Sequence, residues 1–188
     1  MATPKLFMIL IGCKPIGRHT EQHDVFFTIG NSLKEIVPQI KDFWPDSGSL
    51  HLDAWREVTE VEGYSISILP KETIIKNTPE EKKLFFINLG GYKPAEFEEY
   101  HYKLIAVGAN KAEAIKISKQ TAFYKHTGFK GAESHIDDKY GIDVDDLYQI
   151  EDILPTSIKE KYQFKISAHN NAPKDEWHIG YTMLKKIS

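Results

Sequence analysis

The sequence predicts an α+β fold made by tandem duplication, and three observations lead there. A short apolar run ending in glycine, Leu6–Ile11 then Gly12, returns as Leu84–Leu89 then Gly90. Glu21-Gln22-His23 returns as Glu99-Tyr100-His101. A helix-start pair, Ser32 with Glu35, returns as Asn110 with Glu113. All three pairs keep one spacing, and their period is far longer than the ~20–50 residues of a solenoid unit. Each copy is therefore expected to run β-β-α-β-β in an antiparallel or mixed sheet. The predicted division is a first repeat over 1–70, a polar linker over 71–83 and a second repeat over 84–155. A C-terminal extension over 156–188, packed on the repeats, completes the chain.

Each element has a local reason. Leu6–Ile11 is short, apolar and bounded by glycine and proline, which reads as a buried strand rather than a helix. Val25-Phe26-Phe27-Thr28-Ile29 is rich in aromatic and β-branched residues, as strands are. Gly30-Asn31 ends it, and Ser32 with Glu35 can form a capping box in which each side chain satisfies the other's free N–H. Leu33, Ile36, Val37, Ile40, Phe43 and Trp44 then fall on one helical face. Pro38 lies inside that run and should kink the helix or shift its start. Leu50–Glu57 is a third strand, with Leu52 and Ala54 on one side and His51, Asp53 and Trp55 on the other. Gly63–Leu69 is a fourth. In the second copy a helix is expected from about Lys111 to Tyr124. His51-Leu52-Asp53 is matched with His135-Ile136-Asp137, and Tyr64 with Tyr148, at a longer spacing. That implies an insertion near Thr127-Gly128-Phe129-Lys130-Gly131. Tyr162–Ala168 and Trp177–Leu184 read as a hairpin around Asn170-Asn171-Ala172-Pro173. The first two strands are apolar on both faces, so cover is required on both sides.

Composition narrows the function classes. Over 188 residues, 24 Lys+Arg oppose 27 Asp+Glu, giving a net charge of −3 that offers no broad positive field for nucleic acid. The one cysteine excludes an intrachain disulfide framework. No apolar run reaches the ~20 residues of a membrane span. Lys5 followed by Leu10-Ile11-Gly12-Cys13 imitates a lipoprotein signal, but the same run recurs inside the chain, where no signal acts, so a buried strand and a cytoplasmic protein are expected. The lysines of 155–188 read as a solvated surface.

The polar residues shared by the two copies are the candidate chemistry. Lys14-Pro15 and Lys93-Pro94 follow the first strands, which makes Lys14 and Lys93 candidate ligand-binding residues. Residues i and i+2 of a strand share a face. Glu21 with His23, and His51 with Asp53, can therefore each present two ligands side by side, as can Glu99 with His101 and His135 with Asp137. Imidazole plus carboxylate suits a divalent transition metal such as Zn²⁺, Fe²⁺ or Mn²⁺. Spacing alone does not bring the two pairs of a copy together, and the same residues can serve as latches that hydrogen-bond loop backbone. Cys13 with His23 lacks a third group to orient it as a nucleophilic pair. Asp137, Asp138, Asp143, Asp145 and Asp146 lack the order of a calcium loop and read as a solvated loop. Tyr124, His126, Phe129 and Lys130 form a weak base-stacking candidate.

The run Leu6–Pro15, the segment Glu21–Phe27 and Ile136-Asp137-Asp138-Lys139-Tyr140-Gly141-Ile142-Asp143-Val144-Asp145-Asp146 resemble a bacterial family, domain of unknown function 1543. The resemblance spans roughly residues 6–155. It implies a small bacterial cytoplasmic protein with a duplicated domain, and no activity, cofactor or catalytic residue. The expectation is a non-catalytic protein using its duplicated domain as a binding or assembly surface, as a homodimer. The alternative is a metal-dependent hydrolase using the Glu-x-His and His-x-Asp pairs.

Overall fold

The computed structural model describes residues 3–45, 47–74, 81–92, 95–118, 120, 143–169 and 171–187. It is α+β, with antiparallel sheets and short helices. Two compact units divide the chain. Residues 1–75 and 154–188 form the first, and residues 76–153 form the second.

In the first unit, β1 (Lys5–Cys13) pairs with β2 (Gln22–Gly30) on one side and β3 (His51–Val58) on the other. Helix α1 (Leu33–Phe43) lies between β2 and β3 in sequence. Half of the expected capping box is formed, with Glu35 N–H donating to Ser32 Oγ at 3.3 Å, while the Glu35 carboxylate accepts from the N–H of Asn31 at 3.0 Å and not from that of Ser32. The helix runs through Pro38 without interruption. Ile36 and Ile40 pack with Phe7, Ile9, Ile11, Phe26 and Leu52 into one core, the face of β1 that carries the odd-numbered residues. Leu6 and Met8, on the other face, are buried as well, and the strand Tyr64–Pro70 contacts β1.

The third strand departs from simple alternation. Leu10 pairs with Ala54 but Ile11 pairs with Leu52, so Asp53 is an extra residue, a β-bulge. The bulge turns Trp55 to the same core as Leu52, correcting the expectation that Trp55 shares a side with His51 and Asp53.

The strands β4 (Glu60–Val61) and β5 (Tyr64–Pro70) continue into a second sheet, which β9 (Tyr162–Ala168) completes in the order β4-β5-β9. The last strand, β10 (His178–Met183), pairs instead with β3, giving the order β10-β3-β1-β2. The expected C-terminal hairpin is therefore not formed. The connection is pinned away from β9 by Asp175, whose side chain is 1% exposed. Its Oδ1 accepts from Thr59 N–H at 3.0 Å, Thr59 Oγ at 2.7 Å and Glu60 N–H at 3.2 Å, while Oδ2 faces Arg56 at 3.4 Å. Burial pushes the Arg56 guanidinium down from its usual value, and Asp175 and then Glu60 oppose that shift. Trp177 stacks over Arg56 at 4.3 Å.

In the second unit β6 (Lys83–Tyr92) pairs with β7 (Glu99–Gly108) and β8 (Asp143–Gln149), in the order β7-β6-β8. Helix α2 (Lys111–Ser118) is capped as α1 is: Glu113 N–H donates to Asn110 Oδ1 at 3.0 Å, and the Glu113 carboxylate accepts from Ala109 N–H at 2.6 Å. Phe85, Ile87, Leu89, Leu104, Ala106 and Ala114 form the core. The described residues of this unit hold three strands, not four, and the third is β8. Tyr148 belongs to that third strand and not to a counterpart of Tyr64's strand. The shift arises because β8 also carries a bulge: Asn88 pairs with Asp146 and Leu89 with Val144, leaving Asp145 extra. Val144 and Leu147, three apart, face one core, as Leu52 and Trp55 do. Asp143, Asp145 and Asp146 are thus strand residues, not a solvated loop.

Candidate metal centre

Strand parity and one bulge together build the cluster in the first unit. Glu21 and His23 share the face of Val25 and Phe27, away from α1. Without the bulge, His51 and Asp53 would carry Trp55 out of the core with them; with it, Trp55 stays packed against α1's face of the sheet and Asp53 joins His51. Gly12 is paired with His23 on one side and His51 on the other. The missing side chain there is what lets the four groups meet: a Cβ on Gly12 would collide with His51 Nε2 and lie 2.6 Å from Asp53 Oδ2.

The four side chains close a ring. His51 Nε2 is 3.1 Å from Glu21 Oε1 and 3.4 Å from Asp53 Oδ1. His23 Nε2 is 3.3 Å from Asp53 Oδ2 and 3.7 Å from Glu21 Oε2. A tetrahedral ion with arms of about 2.1 Å has ligand–ligand edges of about 3.4 Å; one atom each from Glu21, His23 and His51 lies within coordination reach of the others, and Asp53 stands beside them with its two oxygens turned to different imidazoles. The orientations agree. His51 is 3% exposed, yet its Nε2 has no hydrogen-bond partner, and neither does the buried Asp53 Oδ2. Buried polar atoms are ordinarily satisfied, and two orphans side by side need an explanation. Among the described residues the four side chains meet one another across the strands. The side chains of Glu21 and His23 are nearly half exposed, so one side of the cluster is open to solvent. The Tyr181 ring packs on His51, with centroids 4.4 Å apart, and holds the imidazole from the edge strand.

The second unit brings together Glu99, His101 and Asp145. His101 Nδ1 is 3.1 Å from Asp145 Oδ2 and its Nε2 is 3.7 Å from Glu99 Oε2. Gly90, paired with His101, opens the space: a Cβ there would lie 2.8 Å from Asp145 Cγ. Asn88 Nδ2 contacts His101 Nδ1 and donates to Asp146 Oδ2, both at 3.2 Å.

Of the candidates read from the sequence, Glu21, His23, His51 and Asp53 converge, and so do Glu99 and His101. His135 and Asp137 lie outside the described residues, as does Lys93. Their assigned place on the third strand is taken by Asp143-Val144-Asp145, since Gly90 pairs with Asp143 as Gly12 pairs with His51. Lys14 is exposed just beyond β1. Cys13 is fully buried, and burial, then the charge of Glu21, pushes its thiol up, the opposite of what a nucleophile needs. Asn88 escaped the sequence reading, which takes Asp145 only as part of a solvated loop and the two glycines only as the ends of the repeated apolar runs. The glycines had a signal, since each interrupts an otherwise apolar strand at the same place in its half.

The family described as Domain of Unknown Function (DUF1543) matches residues 18–68, which hold all four members of the first cluster. Among solved structures the chain is similar to the crystal structure of a protein Il1583 from Idiomarina loihiensis. The two are 22% identical, with a TM-score of 0.62, over 96% of this chain and 98% of that one. That likeness is one of fold. No curated protein matches the sequence.

Proposed function

We propose from the side chains that the first unit, whose residues 18–68 match the DUF1543 family model, binds a divalent transition metal through Glu21, His23 and His51 with Asp53 beside them. The observation that carries this reading is the meeting of two imidazoles with two carboxylates, in which the buried His51 Nε2 and Asp53 Oδ2 make no hydrogen bond although ionisable partners stand 3.1–3.4 Å away. Two imidazoles and two carboxylates suit Zn²⁺, Fe²⁺ or Mn²⁺. The half-exposed side of the cluster supports a metal-dependent hydrolase over a closed structural site. Metal hydrolysis needs a coordination position that water and substrate can reach.

The recurrence of glycine and helix cap at one spacing, with a bulge in the third strand of each unit, supports an origin of the two units by duplication. A reducing, cytoplasmic setting fits a single buried thiol. The assembly reading keeps one specific support: β10 is an edge strand that leaves Ile179 82% exposed and Tyr181 largely exposed, an apolar rim suited to a second copy of the chain.

The test is metal content of the untagged protein. About one tightly held transition metal ion per first unit is expected, with affinity falling at least tenfold to a hundredfold in His51→Ala and His23→Ala while circular dichroism stays native. Unchanged affinity in both variants, or wild-type protein that neither retains nor is thermally stabilised by Zn²⁺, overturns the metal reading and leaves the assembly reading in its place.

A further inference from the structure

The two clusters are built on the same scaffold but from different donors. Around Gly12 stand two imidazoles, His23 and His51, with two carboxylates. Around Gly90 stands one imidazole, His101, with the carboxylates of Glu99 and Asp145. The register position that His51 holds opposite Gly12 is occupied opposite Gly90 by an aspartate, Asp143. A second exchange lies one step inward. The pair just before the bulge is apolar in the first unit, Leu10 opposite Ala54, and polar in the second, Asn88 opposite Asp146.

That polar pair is costly where it sits. Asn88 is 8% exposed and its Oδ1 has no hydrogen-bond partner, while its amide nitrogen touches both His101 and Asp146. Burying an amide oxygen unpaired costs on the order of 1–3 kcal/mol, so a leucine as in the first unit would be the cheaper choice for packing. The exchange makes sense if Asn88, through its amide nitrogen, holds His101 and the added carboxylate of Asp146 in place at an ion's oxygen-rich shell. Nitrogen donors favour the borderline metals, whereas carboxylate and amide oxygens favour hard ones.

We infer that the second unit is a separate cation site, formed by Glu99, His101 and Asp145 with Asn88 and Asp146 beside them, that favours a hard divalent ion of the Mn²⁺ class relative to the first. The chain then carries two unlike metal sites rather than one site twice. The inference rests on the metal reading of the first unit for its comparison, and the second site's own occupancy is measured separately. Zn²⁺ out-competes Mn²⁺ at most nitrogen and oxygen sites. The quantity that differs is therefore the ratio of the two affinities.

The experiment uses the full-length, metal-stripped protein. Mn²⁺ binding is read by electron paramagnetic resonance, and Zn²⁺ binding by competition with a chromophoric chelator. The expected result is that one Mn²⁺ per chain is lost in Asp145→Asn and Glu99→Gln and that the same ion is retained in His51→Ala. The Zn²⁺:Mn²⁺ affinity ratio should be about tenfold or more lower at the second site than at the first. Asn88→Leu should weaken Mn²⁺ without changing Zn²⁺ at the first site. Two carboxylate variants guard against one failing to fold. Zn²⁺ held through His51 with no Mn²⁺ lost in Asp145→Asn or Glu99→Gln overturns this inference alone, as does an equal ratio at the two sites. Mn²⁺ held through Asp145 with no Zn²⁺ dependent on His51 overturns the earlier reading alone.

Discussion

A glycine in the middle of a packed strand contributes no side chain to a core and loses more chain entropy on folding than any other residue. Gly12 is tolerated because His51 and Asp53 occupy the volume its side chain would take. Gly12→Ala tests this at the scale of one atom. The added methyl would push His51 Nε2 off the centre, so metal affinity is expected to fall as far as in His51→Ala. The overpacking should also cost about 1–3 kcal/mol, read as a lowered midpoint in urea with unchanged slope. A variant that keeps full metal affinity would mean that the ring of donors does not depend on the gap at Gly12. The four donors themselves were legible in the sequence as two pairs. Their meeting was not, because strand alternation predicts faces only until a bulge resets it.

At the scale of elements, the cap of α2 carries a pH dependence. The side-chain bond with Lys82, and then the N–H of Ala109, hold the Glu113 carboxyl below its ordinary range. A group whose folded value is depressed stabilises the fold fully above its unfolded value and stops doing so as pH falls through the folded one. Protection of the Ala109 amide against hydrogen exchange should therefore hold down to about pH 4.3, the ordinary glutamate value, and decline below it. In Glu113→Gln it should be lower at neutral pH and flat across that interval; a wild-type profile in that variant would remove Glu113 from the cap. Both caps were readable from sequence, Ser32 with Glu35 and Asn110 with Glu113, because capping is settled within one turn. The assignment of strand partners fared differently. His135-Ile136-Asp137 looked like the counterpart of His51-Leu52-Asp53 by residue identity. The strand that pairs with β6 is Asp143–Gln149, chosen by the apolar contacts of Val144 and Leu147 with that unit's core.

For the whole molecule, the decisive feature is the return of the chain's end to the first unit. Asp175 fixes that return by joining Arg56, Thr59 and Glu60 in a nearly dry environment. Removing one partner of a buried ion pair leaves the other charged and unpaired, which costs about 3–5 kcal/mol. Asp175→Ala is expected to destabilise the first unit by that order. All three tryptophans, Trp44, Trp55 and Trp177, lie in that unit, so their fluorescence reports its unfolding. A change below about 1 kcal/mol would show that β10 is held by its pairing with β3 alone.

By itself the sequence determined the α+β class, the first two strands and the capped helix of each half, and six of the residues that come to stand in the two clusters. Each of these depends on neighbours within a turn or on a repeated local pattern. Only the tertiary structure decided that Trp55 turns to the core, that β9 and β10 part company, that Asp145 stands in the second cluster, and that Glu21, His23 and His51 come within coordination reach with Asp53 beside them. Those outcomes are set by which distant strand supplies the better apolar partner, and by where one extra residue can be accommodated. That is a competition between contacts far apart in the chain, which no local window contains.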